Sequence, residues 1–269
     1  MSFLSIQFFG QSIGKQTGMH VILPPGKGPF PAMYLLHGLS DDYTIWSRRT
    51  SIERYVAELN MIVVMPDGGR SFYCNDSRPG GMAYENHIVK DVVGFIDTSF
   101  RTIAEPNARA VAGLSMGGYG AFMLAIRHID VFSVACSHSG AMGFMQRAWP
   151  DRSDIQTIAG TLPQDGRYDL LKLAQELSTS RPRPALYFDC GTDDGLLEDN
   201  RMFQSFLKKL GIKHEYREYP GAHSWDYWDT HIQQSIAFIL SHLKDKKIIR
   251  VNSRTKATAG RYRRGGLRF

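Results

Sequence analysis

Residues 108–128 read ARAVAGLSMGGYGAFMLAIRH, a short apolar run, a serine between glycines and a helical segment in immediate succession. Residues 108–112 have the composition of a buried strand, and 117–128 carry helical periodicity. A serine at the sharp turn from strand to helix is forced into an unusual backbone conformation, and glycines two residues to either side leave space for that turn. Gly113, Ser115 and Gly117 stand at those positions, with Gly118 and Gly120 behind them. This context marks Ser115 as a candidate nucleophile; an idle serine in a Gly-rich turn is the alternative.

Working outward, short strand-like runs alternate with helical segments. Strands are expected at 30–36, 61–65, 132–137, 185–190 and 214–219, and helices at 46–59, 84–100, 200–210 and 225–243. In the 84–100 helix, Ile88, Val92, Phe95 and Ile96 share one face. Such alternation predicts a mostly parallel sheet with helices on both faces. Residues 2–9 and 17–23 read as an antiparallel N-terminal hairpin at one sheet edge. Between 142 and 183 the pattern breaks, with Pro150, Gly160, Pro163, Gly166 and Pro182 and short helical pieces, of which 168–177 is the clearest. This stretch reads as an insertion over the carboxyl end of the sheet, where open α/β folds bind ligands.

Composition narrows the function classes. The 269 residues are 43% hydrophobic and 22% charged, which excludes a disordered chain. The formal charge of +6 suggests nucleic acid or an anionic membrane, but its distribution argues otherwise. Residues 244–269 hold ten bases and one acid, a local +9, so residues 1–243 carry −3. We therefore expect one domain over 1–243 and a basic tail over 244–269, disordered or artificially appended, with no specific nucleic-acid partner. Three cysteines, Cys74, Cys136 and Cys190, form no CxxC pair and no disulfide framework. No signal-peptide pattern and no apolar stretch of membrane-spanning length appear, so a cytoplasmic protein without membrane association is expected. No HExxH, Cys-His cluster or phosphate loop is present, so neither metal nor cofactor is expected.

A serine hydroxyl attacks a carbonyl only when an imidazole takes its proton and a carboxylate orients that imidazole. Where the serine stands on such a strand-to-helix nucleophile elbow, the triad order is Ser, acid, His. His223, His231 and His242 follow the last strand; the latter two fall inside the final helix. His223 lies in the loop Pro220-Gly-Ala-His-Ser224, which opens on the carboxyl edge of the sheet. The acid should come from Asp193, Asp194, Glu198 or Asp199, after the strand that contains Asp189. Asp199 is expected to cap the following helix. Asp194 lies farther along the turn and is preferred, with Asp193 as the alternative. The oxyanion of the transition state needs two backbone N–H groups. Met116, after the serine, is expected to supply one, and Leu39, after Gly38, is placed to supply the other; His37 is a competing base on paper but is expected to shape that loop.

The segments LLHGLSDDYTIW (35–46), GLSMGGYGA (113–121), CGTDDGLLEDN (190–200) and GAHSWDYW (221–228) together resemble the esterase D and tributyrin esterase family of α/β-hydrolases. That group includes acetyl and feruloyl esterases, S-formylglutathione hydrolases and mycolyltransferases. The resemblance runs over residues 2–243 and implies the α/β-hydrolase fold. Its Gly-Thr-acid-Asp pattern puts the acid at the second position, Asp194. The implied function is a serine carboxylesterase acting through an acyl-enzyme on short-chain acyl esters, including acetyl groups on carbohydrate. Feruloyl esters, S-formylglutathione and acyl transfer follow in that order, and a noncatalytic binding module of the same fold is the rival from another class. The resemblance also implies a homo-oligomer.

Trp149 and Trp46 are candidate substrate-contacting residues, with Tyr43, Trp225, Tyr227 and Trp228 as further aromatics for a pocket or the core. Asp41, Asp42 and Glu85 either hold the oxyanion loop or are solvated. Cys74 is expected to be an inert small side chain rather than a reactive thiol.

Overall fold

The computed structural model describes residues 1–243. Residues 244–269, where the basic tail was expected, lie outside the described residues.

The hairpin forms as read: β1 (Ser2–Gly10) pairs antiparallel with β2 (Lys15–Leu23) across a short turn. β2 joins β4 (Ile62–Pro66) antiparallel, and from there every pairing is parallel. β3 (Ala32–Leu36), β5 (Arg109–Leu114), β6 (Val134–His138), β7 (Ala185–Gly191) and β8 (Glu215–Tyr219) complete an eight-stranded sheet in the order β1-β2-β4-β3-β5-β6-β7-β8. The alternating residues of β3 explain why both faces are covered. Ala32, Tyr34 and Leu36 enter one apolar core, while Met33 and Leu35 enter the other. The first core takes the buried faces of α5 (Met116–Arg127), α7 (Leu170–Thr179) and α8 (Leu197–Lys209); the second takes α9 (Trp225–His242) and the helical segment after β3.

Three elements depart from the sequence reading. The helix expected at 46–59 is two short helices, α1 (Ile45–Arg49) and α2 (Ile52–Val56). Thr50 between them is extended, its hydroxyl bonds the Trp46 carbonyl, and the Ser51 N–H donates to Asp229 rather than to the preceding turn. Hydroxyl residues offer the backbone these alternatives to a helix. The helix at 84–100 is continuous but contains a π turn (His87–Val92) between α3 (Tyr84–Asn86) and α4 (Val93–Ser99). Ile88, Val92 and Ile96 are buried on its face, and Phe95 is partly buried.

The insertion divides in two. Its first part, with α6 (Ser153–Gly160), lies over the carboxyl ends of the strands. Its second part does not roof the site. Leu170, Leu173, Ala174 and Leu177 form a stripe on α7 that docks in the core beside α5, with Asp169 capping the helix by accepting from Leu171 and Lys172 N–H. No helix among the described residues is long and apolar enough to cross a membrane.

Candidate active site

Ser115 sits between β5 and α5 at φ 53°, ψ −116°, a conformation that L residues avoid. Its neighbours leave no room for side chains. A Cβ on Gly113 would lie 2.4 Å from the Gly117 carbonyl oxygen, and one on Gly117 would lie 2.5 Å from the Leu36 carbonyl oxygen. The turn is held by the Ser115 N–H, which donates to the His138 carbonyl at 2.9 Å.

His223 Nε2 lies 3.0 Å from Ser115 Oγ, and His223 Nδ1 lies 2.9 and 3.1 Å from the two oxygens of Asp194. The imidazole is partly open to solvent, with Trp228 edge-on at 4.8 Å, while the Asp194 side chain is fully buried. Burial alone would raise the Asp194 carboxyl. The His223 imidazole, the Leu196 N–H at 2.8 Å and the Ser139 hydroxyl outweigh it and hold the group below the usual carboxylate range. Asp193 is exposed, and its N–H donates to the Gly221 carbonyl, which ties the acid loop to the histidine loop. Asp199 does not cap α8: the helix begins at Leu197, ahead of the expected 200, so Asp199 lies in its first turn, where it faces Arg147 at 3.3 Å.

The loop after β3 is fixed from beneath. The Gly68 N–H donates to Nε2 of buried His37 at 2.8 Å, which leaves the proton on Nδ1 to donate to the Gly38 carbonyl at 2.7 Å. Tyr73 OH donates to the His37 carbonyl. Both ring nitrogens of His37 are therefore engaged, Nδ1 within its own loop and Nε2 by the loop after β4. Leu39 and Met116 line the same cavity as Ser115 and His223. Glu85 does not reach this loop: it is buried on the far side of α5 among Arg127, His128, Tyr168 and Asn75. Asp42 accepts from Thr44 at the start of α1, and Asp41 lines the cavity.

The cavity measures about 520 Å³. Phe72, Trp149, Trp225 and Trp228 line it, as do Arg70, Arg147 and Arg152. The insertion thus brings Trp149 to the cavity wall. Trp46 does not line the cavity: it is 1% exposed, donates to the Leu36 carbonyl and packs edge-on against Trp225, which takes its place at the wall. Tyr227 is buried beneath the site. Sequence reasoning missed Phe72 and the arginines. Phe72 has φ 52° and stacks on Phe144 at 3.6 Å, a left-handed aromatic that no compositional signal announces. Cys74 is buried, and burial pushes its thiol well above the ordinary range, as expected of an inert side chain. No cluster of three metal-ligating side chains occurs among the described residues.

A second hydrogen-bonded chain lies one layer down. Ser235 Oγ is 2.8 Å from His138 Nε2, and His138 Nδ1 is 3.0 Å from Asp189 Oδ1. Tyr187 and Tyr227 hydroxyls donate to the same carboxylate. Ser235, His138 and Asp189 are all wholly buried.

The sheet order, the serine turn and a cavity at the carboxyl ends of the strands define an α/β-hydrolase. A family model described as "Putative esterase" matches residues 10–239, and the chain belongs to this esterase family. It is 26% identical over 266 residues to an acetyl esterase of Caldicellulosiruptor saccharolyticus, covering 89% of this chain and 98% of the relative. An esterase of Mycobacterium tuberculosis is 30% identical over 81% of this chain, which spans about half of that relative's length, 54%. Among solved structures, the fluorophosphonate-binding serine hydrolase FphF of Staphylococcus aureus superposes with a TM-score of 0.79 at 29% identity, over 88% of this chain and 98% of that one. A ferulic acid esterase superposes with a TM-score of 0.77 at 26% identity, over 90% and 98%. The chain is a carboxylic ester hydrolase.

Proposed function

We propose that the chain is a serine carboxylesterase in which Ser115 attacks the ester carbonyl and is acylated. His223 takes the serine proton and passes it to the leaving alcohol, and Asp194 fixes the imidazole with its proton on Nδ1. The N–H groups of Leu39 and Met116 receive the oxyanion; Met116 is the first residue of α5, where the backbone N–H has no partner within the helix. Water, activated by the same imidazole, then releases the acid. The observation that carries this reading is the continuous hydrogen-bonded chain from Ser115 Oγ through His223 to Asp194.

The preferred substrates are short-chain acyl esters, acetyl groups on carbohydrate among them, a choice supported by the acetyl esterase relative. Hydroxycinnamoyl esters are the second reading, favoured by the aromatic wall of Phe72, Trp149, Trp225 and Trp228. Three buried cysteines outside any disulfide favour action in the cytoplasm. Ser115→Ala is expected to abolish the burst of 4-nitrophenol from 4-nitrophenyl acetate while the circular dichroism spectrum stays unchanged. Substantial residual turnover would overturn the assignment of Ser115. A panel of acetyl, butyryl, octanoyl and feruloyl esters, compared by kcat/KM, separates the two substrate readings.

A further inference from the structure

Three guanidinium groups edge the cavity that holds Ser115 and His223, and the esterase reading assigns them nothing. Arg70 and Arg152 share a single carboxylate. Arg152 reaches both oxygens of Asp154 at 3.0 and 2.9 Å, and Arg70 reaches one of them at 2.5 Å. That trio therefore carries one net positive charge, and Arg70 has one further contact, to the Leu39 carbonyl at 3.5 Å. Arg147 is ion-paired with Asp199 at 3.3 Å, donates to the Gly195 carbonyl at 3.3 Å and lies over the Trp149 ring at 4.7 Å. Each guanidinium has five N–H donors, so all three retain unused ones.

The acids facing them from the cavity wall are two. Asp194 is committed to His223. Asp41 is pushed above the usual carboxylate range, chiefly by burial, against the pull of His37 and the Gly38 backbone. An anionic group beneath the roof would meet donors from Arg70 and Arg152 on one side and Arg147 on the other. A planar carboxylate matches the guanidinium fork. Such a roof contrasts with the body of the chain, whose formal charge over residues 1–243 is −3.

We infer that the ester this site turns over bears an anionic group, a carboxylate or its equivalent, away from the scissile bond, and that Arg70, Arg152 and Arg147 select it. The inference rests on the esterase reading above, since it names the substrate class of the same cavity. The side chains of the three arginines are between 41% and 50% exposed, so the selection is partly screened by water and sensitive to salt.

The test uses matched pairs that differ in one charge. 4-Acetoxybenzoate against 4-acetoxybenzamide places the anion on the alcohol side. The 4-nitrophenyl monoester of adipic acid against 4-nitrophenyl hexanoate places it on the acyl side. In one of the two pairs the wild-type protein is expected to favour the anion in kcat/KM by about tenfold at low salt, narrowing to about threefold or less in 0.5 M NaCl. In Arg70→Gln and Arg152→Gln the anion-to-neutral ratio should fall toward one. A wild-type ratio at or below one in both pairs would overturn the inference, and so would a preference that survives both salt and the arginine substitutions. Binding of 4-acetoxybenzoate and 4-acetoxybenzamide to Ser115→Ala protein, by calorimetry, reads the arginines without turnover. Anion preference there, with no hydrolysis of any of the esters by the wild type, would uphold charge selection and sink the esterase reading instead.

Discussion

Ser115 occupies a backbone conformation of a kind that costs about 1–3 kcal/mol, and the surrounding glycines and the bond to the His138 carbonyl hold it there. The position of the two neighbouring aspartates makes a sharp contrast at the same scale. Asp194→Asn is expected to lower kcat/KM by about 10³–10⁴-fold near neutral pH, because an amide that donates toward Nδ1 favours the wrong imidazole tautomer. Asp193→Asn, at an exposed side chain, should change kcat/KM by less than about twofold. Steady-state kinetics on one ester distinguishes the two, and an equal loss in both would refute the assignment. The residues of the proposed relay, Ser115, His223 and the acid loop, were legible because a serine on a strand-to-helix elbow fixes where in the chain its acid and histidine must follow. Trp46 was misread for the opposite reason: an aromatic near a motif carries no sign of which way its ring turns, and here the ring turns into the core. The arginines at the cavity edge lie in two irregular segments, Arg70 after β4 and Arg147 and Arg152 before α6, where neither period 2 nor period 3.6 assigns a direction.

Among the secondary elements, the most consequential joint away from the cavity is the one around Glu85 at the start of α3. Its carboxylate accepts from Arg127 at the end of α5, from His128 just beyond, and from Tyr168, which precedes α7. Burial would raise this carboxyl, but the three partners outweigh burial and bring it from 4.5 down to about 2. A carboxyl held lower in the folded state than in the unfolded one stabilises the fold above its unfolded pKa and loses that contribution as pH falls through the folded value. The shift corresponds to about 3 kcal/mol, present at pH 7 and lost between roughly pH 4.5 and 2. Glu85→Gln should therefore lower the free energy of urea unfolding by about 3 kcal/mol at pH 7 and by much less near pH 2.5. An equal loss at both pH values would show that packing, not charge, is what the substitution removes. The strands and long helices could be read from their periods. The break at Thr50 and the docking of α7 could not, since each is decided by a partner distant in sequence: Asp229 for the first, and the flank of α5 for the second.

At the scale of the whole molecule, every side chain used in the proposed chemistry lies within residues 1–243. We propose that this span is a self-sufficient hydrolase domain. A chain ending at Leu243 should keep kcat/KM within about twofold of the full chain and focus below neutral pH, as a formal charge of −3 requires. A folded but inactive truncate would show that residues 244–269 contribute to turnover. The alternation of strand and helix made the sheet legible because two different periods change places repeatedly along the chain, a signal that no single element provides. The buried chain of Ser235, His138 and Asp189 adds a lesson about such molecules. It has the same atoms in the same hydrogen-bond order as the arrangement at Ser115, at similar distances, yet all three side chains are wholly buried and the Ser235 hydroxyl comes from the interior of α9 rather than from a strained turn. A search by interatomic distance would therefore return two sites in one protein. Matching a proton relay is thus too weak a criterion for a nucleophile; the relay counts only where a substrate can reach it.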